Sequence, residues 1–368
     1  MAFESVRFFR FRNLREQTVV LEAPTVFLIG ANAQGKTNFL ESIYLLCYGS
    51  SFRTFRTVRM IQRGFEESLV EGVFTDAEGS RRSVSVKLTA AKSNELRLDG
   101  SELAHRQELV GTNPCVVFSH GDMELVGGTP HRKRWFFNQT ISLVDRDYMQ
   151  TLRTYRKVLR SRNGALRAGM DRLLDVYDLQ MAEMGWNLQQ KRSALVEDFN
   201  VTFRPLFRKL LAGSEPDVTI SYKPAWKHAG SCSDCRAMLA KRRERDCERG
   251  STGSGPHRDG FSYVSGGRDF SLEASTGQVR LLSLALKAAQ AAFFHSKTGR
   301  APLLLLDDVL LELDGRKRSA FFGCLPACDQ AFFTFLPEER FLQYATENTR
   351  FYSVENGVVS PWKKPVTS

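Results

Sequence analysis

Gly30-Ala31-Asn32-Ala33-Gln34-Gly35-Lys36-Thr37 decides how this 368-residue chain is read. The stretch fits G-x-x-x-x-G-K-[ST], the phosphate-binding loop, and its flanks have the order that loop demands. Thr25 to Ile29 is a short apolar run that reads as a buried strand. After Thr37, the residues Phe39, Leu40, Ile43, Tyr44 and Cys47 recur at helical spacing. Strand, loop and helix together make one anion site. Backbone N–H groups of residues 30 to 35 wrap a β-phosphate, and the helix N-terminus adds its positive end. Lys36 reaches the β- and γ-phosphates, and the Thr37 hydroxyl ligates magnesium. ATP and Mg2+ are the expected cofactors.

Such a loop needs an acid to hold the metal and position a water. Leu303-Leu304-Leu305-Leu306-Asp307-Asp308 supplies it: a wholly apolar strand, as in a buried parallel sheet, delivering two carboxylates at its C-terminal end. Asp307 is expected to hold magnesium. Asp308 is expected to orient or deprotonate the attacking water, so that Lys36 and Asp308 are the catalytic pair. Aspartate in place of the commoner glutamate shortens the reach and points to slow hydrolysis.

Ala274-Ser275-Thr276-Gly277-Gln278 precedes the helical run Leu281, Leu282, Leu284, Ala285 and Leu286 and looks like the ABC signature. Ser275, Gly277 and Gln278 at a helix N-terminus can bind a γ-phosphate. In ABC proteins they do so across a dimer interface, which makes ATP the glue of a homodimer. Leu313-Asp314 stands where the D-loop of that class touches the partner subunit. Thr334, in Phe332-Phe333-Thr334-Phe335, is the nearest candidate for the γ-phosphate switch residue.

Outward from these motifs, the first twenty residues alternate apolar and polar side chains and read as a hairpin. From Ser68 to Val117 the period-two pattern returns, with turn signals at 76–79 and Asp99-Gly100, as in an antiparallel meander. After Pro130 the chain reads as helical for about a hundred residues, with no sustained heptads. The expected architecture is α/β: an ABC-ATPase-type head, a P-loop core with an antiparallel β subdomain, carrying an inserted α-helical lobe. The expected divisions are 1–118 for the first part of the head, 119–249 for the lobe, and 250–368 for the return to the head.

Lys and Arg number 52 against 41 Asp and Glu, a net charge of +11 that favours polyanionic partners. In the lobe, Arg146, Arg153, Arg156, Lys157 and Arg160 share one helical face, while Leu152, Tyr155, Leu159 and Leu166 share another. Arg153, Arg156, Lys157 and Arg160 are the candidate DNA contacts, made to phosphates without reading bases. Arg132-Lys133-Arg134 is read as a second cationic patch. The N-terminal residues interleave Arg with Phe and lack the apolar stretch of a secretory signal, and no apolar run approaches the roughly 20 residues that cross a bilayer. A cytoplasmic protein without a membrane partner is expected. The seven cysteines are read as reduced thiols. Cys232, Cys235, Cys247 and His257 are too irregularly spaced for a structural zinc.

Several stretches together resemble the RecF family of bacterial DNA replication and repair proteins. They are Thr37-Asn38-Phe39-Leu40-Glu41-Ser42-Ile43-Tyr44-Leu45-Leu46, Ser51-Phe52-Arg53-Thr54, Val116-Val117-Phe118-Ser119, Gly255-Pro256-His257-Arg258-Asp259 and Leu306-Asp307-Asp308-Val309. The pattern departs from that family at Thr276, where Gln or Gly is usual, at Gly260, where a second Asp is common, and at His120-Gly121, where Pro-Glu is common. The resemblance implies an ATP-dependent dimer on DNA, single- or double-stranded, at gaps or junctions. It also implies a recombination mediator of the SOS response that works with RecR and RecO to load RecA. Competing readings are a transporter ATPase subunit, whose insert is usually shorter and less basic, and a DNA clamp in which ATP is structural.

Overall fold

The computed structural model describes residues 2–362 apart from 55, 92–93, 105, 107, 110–113, 212–216 and 312. The chain divides into two units, 1–120 with 294–368, and 121–293.

Short runs that are apolar at nearly every position need cover on both faces, and in the first unit four of them become one parallel array. Thr25–Ile29, Ala331–Phe335, Leu303–Leu306 and Cys115–Phe118 lie side by side in that order. Thr349–Glu355 adds in parallel beside Thr25–Ile29, and Val358–Pro361 closes the edge antiparallel. Ala331–Phe335 is therefore flanked by the strand that leads into the P-loop on one side and the strand that ends in Asp307 on the other. Parallel order puts all three carboxyl ends on one edge, where open α/β sheets bind their ligands.

The second sheet of this unit is antiparallel and alternates in burial. Its order is Gln17–Val20, Ala2–Phe9, Glu67–Thr75, Arg81–Thr89, Glu95–Leu98 and Ser101–Glu102. The expected hairpin is its first pair. The expected meander stops at Glu102, because Cys115–Phe118 pairs in parallel with Leu303–Leu306 and belongs to the other sheet. Lys36–Tyr48 is the helix between the two sheets: the Phe39 ring lies 5.6 Å from Phe8 on one and 6.3 Å from Phe332 on the other. Cover on both sides explains why this helix is buried nearly all round. At Gly72 a Cβ would come within 2.7 Å of both Leu46 and the Phe3 ring, so only glycine allows the helix this close.

In the second unit Arg146–Ala168 and Asp171–Leu210 are long helices joined by a turn on Gly169, which takes the left-handed conformation at φ 64°. They are held by buried charge as well as apolar packing. Arg162, fully buried, pairs with Asp178 at 2.7 Å and Asp246 at 2.8 Å, and Arg192 pairs with Asp259 at 2.5 Å. A three-stranded antiparallel sheet, Arg268–Asp269, Gly260–Ser265 and Thr219–Lys223, completes the unit. Because Gly260–Ser265 pairs with Thr219–Lys223, residues 250–293 group with the helices rather than with the first unit, where the sequence placed them.

No helix among the described residues is long and apolar enough to cross a membrane.

Candidate functional site

At the shared strand edge the P-loop and the two aspartates meet. Ala33 at φ 63° and Gly35 at φ 124° hold the loop in the left-handed excursions that aim successive N–H groups into one concavity. Lys36 is 4% exposed, and its Nζ donates to the carbonyls of Gly30 at 2.6 Å and Ala31 at 3.1 Å, so the ammonium sits inside the loop. The Thr37 hydroxyl donates to Asp307 Oδ1 at 2.8 Å. A hydroxyl and a carboxylate oxygen at this separation form the partial ligand set that a hard cation completes with water and phosphate oxygens. Magnesium fits the donors present: Thr37 and Asp307 would hold it, and it would supply positive charge to offset that of a bound nucleotide's phosphates. Burial, reinforced by the adjacent Asp308, pushes the Asp307 carboxyl up to about 6, against the pull of Thr37, Arg53 and Lys36.

Asp308 occupies a left-handed backbone conformation at φ 51°, unusual for a residue other than glycine. Thr334 on the middle strand secures it. The Asp308 N–H donates to Thr334 Oγ1 at 2.7 Å, and that hydroxyl lies 2.8 Å from Asp308 Oδ1. Thr334 thus stands at the site, engaged with the carboxylate that follows Asp307.

The sequence patterns missed a surrounding clamp. Gln34 receives two backbone donors from a distant turn, Asn356 N–H on its side chain at 2.6 Å and Gly357 N–H on its carbonyl at 3.0 Å. Asn13 Nδ2 reaches the Ala33 carbonyl at 3.3 Å, and Asn38 Nδ2 donates to Asn13 Oδ1 at 2.7 Å. Glu41, fully buried on the P-loop helix, takes a two-pronged contact from Arg12 at 2.8 and 2.7 Å, a bond from Ser51 and a longer one from Arg53 at 3.4 Å. Such partners offset the hydration a buried carboxylate loses. The available signal was Arg53, inside the quoted Ser51-Phe52-Arg53-Thr54. Gln34, Asn38, Glu41 and Ser51 also fall inside quoted stretches, whereas Arg12, Asn13, Asn356 and Gly357 lie at unpatterned positions far apart in the chain.

Thr276–Thr298 is the helix expected after the signature motif. Ser275 Oγ accepts from Gln278 N–H at 3.3 Å, while Gln278 Oε1 accepts from Ser275 N–H at 2.8 Å. This reciprocal pair is a capping box. Ser275, Thr276 and Gly277 are exposed, and Leu272 just before them is 84% exposed. Asp314 caps Gly315–Phe322 by accepting from Lys317 N–H at 2.9 Å, and Leu313 beside it is buried.

Arg153, Arg156, Lys157 and Arg160 lie on the exposed face of Arg146–Ala168, opposite buried Leu152 and Tyr155. Arg132-Lys133-Arg134 is not the free cationic patch the sequence suggested. Lys133 is buried over the Tyr263 ring at 5.1 Å, Arg134 donates to the Asp259 carbonyl at 2.8 Å, and Arg132 pairs with Glu124 at 2.7 Å. Cys235 is buried, Cys247 packs against Ala165, Leu166 and Leu174, and His257 bridges the Tyr155 hydroxyl at 2.8 Å and the Thr252 carbonyl at 3.0 Å.

The phosphate-loop strand and the strand ending in Asp307, in one parallel sheet on either side of Ala331–Phe335, together with an antiparallel sheet over the P-loop helix, define an ABC-ATPase-type head. The RecF/RecN/SMC N terminal domain family matches residues 2–360. The DNA replication and repair protein RecF of Treponema pallidum (strain Nichols) is 39% identical over 94% of this chain and 97% of its own. That of Anaeromyxobacter sp. (strain Fw109-5) is 34% identical over 95% and 96%. The chain belongs to the RecF family. A solved structure described as the recombination mediator protein RecF with ATP in the RecFOR pathway superposes with TM-score 0.88 at 27% identity, covering 98% of this chain and 99% of that one. An Smc head bound to the C-winged helix domain of ScpA, at 14% identity over 98% of this chain and 97% of that one, shares the fold with TM-score 0.57.

Proposed function

We propose that the chain is an ATP-driven DNA-binding protein of replication, recombinational repair and the SOS response. The observation that carries this reading is the meeting of Thr37 and Asp307 at 2.8 Å, which joins the phosphate loop to the acidic strand in one Mg-nucleotide site. Residues Gly30, Ala31, Asn32, Ala33, Gln34, Gly35, Lys36 and Thr37 hold the phosphates. Thr37 and Asp307 hold magnesium, and Lys36 and Asp308 carry the hydrolytic step. Ser275, Gly277 and Gln278 act in trans: a capped but exposed helix N-terminus beside an 84% exposed Leu272 suits a surface that a second copy covers. ATP closes a homodimer and hydrolysis opens it.

The RecFOR setting of its solved relatives supports DNA, RecR and RecO as partners in the cytoplasm, with RecA loaded downstream at single-strand gaps. Arg153, Arg156, Lys157 and Arg160 contact the phosphate backbone. Turnover is weak, because the Asp308 side chain is short, and DNA stimulates it. Thr334 tethers the Asp308 carboxylate. That tether also favours a second reading, a DNA clamp with ATP as a structural ligand. Phosphate release with and without gapped DNA separates the two. Release that DNA raises and Asp308→Asn abolishes supports the switch, whereas equal background release from both proteins leaves ATP structural.

A further inference from the structure

Residues 10–15 and 53–63 contain seven charged side chains, every one an arginine: Arg10, Arg12, Arg15, Arg53, Arg56, Arg59 and Arg63. The two segments pack on each other in the first unit. Arg12 N–H donates to the Met60 carbonyl at 2.9 Å, Gln62 N–H donates to the Arg10 carbonyl at 2.8 Å, and Phe11 bridges Ile61. Arg12 is spent on buried Glu41, and the Arg10 guanidinium lies between the Phe9 and Phe65 rings at 4.4 and 4.3 Å. Arg15, Arg53, Arg56, Arg59 and Arg63 are exposed. Of these, Arg15, Arg56, Arg59 and Arg63 form no ion pair with a described residue.

Several surface cations elsewhere on this unit have acidic partners, as Arg7 with Glu71, Arg81 with Glu4, Arg82 with Asp99 and Lys87 with Glu67. A surface that only needed to stay solvated has no reason to concentrate unpaired like charges in two loops held together by backbone hydrogen bonds. Their mutual repulsion is relieved by a polyanion. Guanidinium groups present paired donors that match phosphate oxygens. The patch also adjoins the nucleotide site. Arg53 donates to Asn38 Oδ1 at 2.7 Å, Asn38 to Asn13, and Asn13 to the P-loop carbonyl of Ala33, and the Arg53 charge acts on Asp307.

We propose that Arg15, Arg56, Arg59 and Arg63 form a docking surface for the phosphate backbone of DNA on the first unit, linked through Arg53, Asn38 and Asn13 to the P-loop. This rests on the reading of the chain as an ATP-dependent DNA-binding protein and adds a contact surface to the helix Arg146–Ala168. It binds without base readout, so its contribution is salt-dependent and independent of sequence.

The test is fluorescence anisotropy of labelled duplex DNA with ATP, titrated between about 50 and 200 mM NaCl. It compares the unaltered protein, Arg56→Glu/Arg59→Glu/Arg63→Glu and the milder Arg56→Gln/Arg59→Gln/Arg63→Gln. ATP affinity and thermal melting serve as fold controls. The reversed variant is expected to lose about tenfold or more in DNA affinity. Its log–log salt slope should shallow by about 2 to 3, near 0.9 for each phosphate that is no longer neutralised. The glutamine variant should shallow the slope while keeping ATP affinity. Unchanged DNA affinity and slope in both variants, with the unaltered protein binding DNA, overturn the docking surface alone. Loss of binding to anionic vesicles with DNA binding intact also overturns it. Failure of the unaltered protein to bind DNA at low salt overturns the functional reading beneath it.

Discussion

The hydroxyl of Thr37 donates to Asp307 Oδ1 at 2.8 Å across 270 residues of sequence, and this contact joins the two halves of the nucleotide site. Replacing Thr37 with valine keeps the shape and removes the shared oxygen. Hydrogen bonds to charged groups contribute about 1.5 to 3 kcal/mol, so Mg-dependent ATP affinity should fall by about 10- to 150-fold. Titration of a fluorescent ATP analogue with and without Mg2+ checks this. The expected result is a loss confined to the Mg-containing arm.

Thr334 grips Asp308 at both its main-chain nitrogen and its carboxylate. Thr334→Val should free that carboxylate and misplace it, which can cost about a hundredfold in a positioned reaction. ATP binding should persist. Single-turnover hydrolysis against equilibrium ATP binding separates the two effects, and Thr334→Ser should restore the rate.

Gly357 packs so closely on the Asn13 carbonyl that a Cβ would lie 1.9 Å from it, and its φ is 79°. Gly357→Ala should push the 356–357 turn off Gln34 and loosen the P-loop. Backbone strain of this kind costs about 1 to 3 kcal/mol. Thermal melting should drop accordingly, and ATP affinity should fall with it.

Burial pushes the His257 ring down to about 4, with nearby Arg258 and Arg134 adding to the effect and the Thr252 carbonyl and Asp246 opposing it. The unfolded chain, with an ordinary value near 6.5, therefore takes up the proton first. Stability is complete above pH 6.5 and is lost as pH falls toward 4, by up to about 3 kcal/mol. Denaturant unfolding across this window should show that slope in the unaltered protein. His257→Gln should be weaker at neutral pH and flatter toward acid.

Much of the first unit was legible because four strands of its parallel sheet are almost wholly apolar and its phosphate loop is a contiguous motif. Thr25–Ile29, Lys36–Tyr48 and Leu303–Leu306 emerge where the residues place them. The second unit was less legible for a physical reason. Sequence periodicity assigns arginine to the surface, yet Arg162 and Arg192 lie buried against aspartates from distant segments, and Lys133 and Arg134 are turned inward. Thr219–Lys223 is a strand because Gly260–Ser265 pairs with it, a partnership that local pattern does not encode. The clamp on Gln34 has the same character: its partner Asn356 stands 322 residues away.

Sedimentation velocity with ATP, with ADP and without nucleotide, repeated for Lys36→Met and Ser275→Arg, tests the central claim that ATP closes a homodimer through the signature helix. The account predicts a dimer with ATP alone, no dimer for either variant, and ATP binding retained by Ser275→Arg. An unaltered protein that binds ATP and stays monomeric, or a Ser275→Arg variant that dimerises normally, would contradict it.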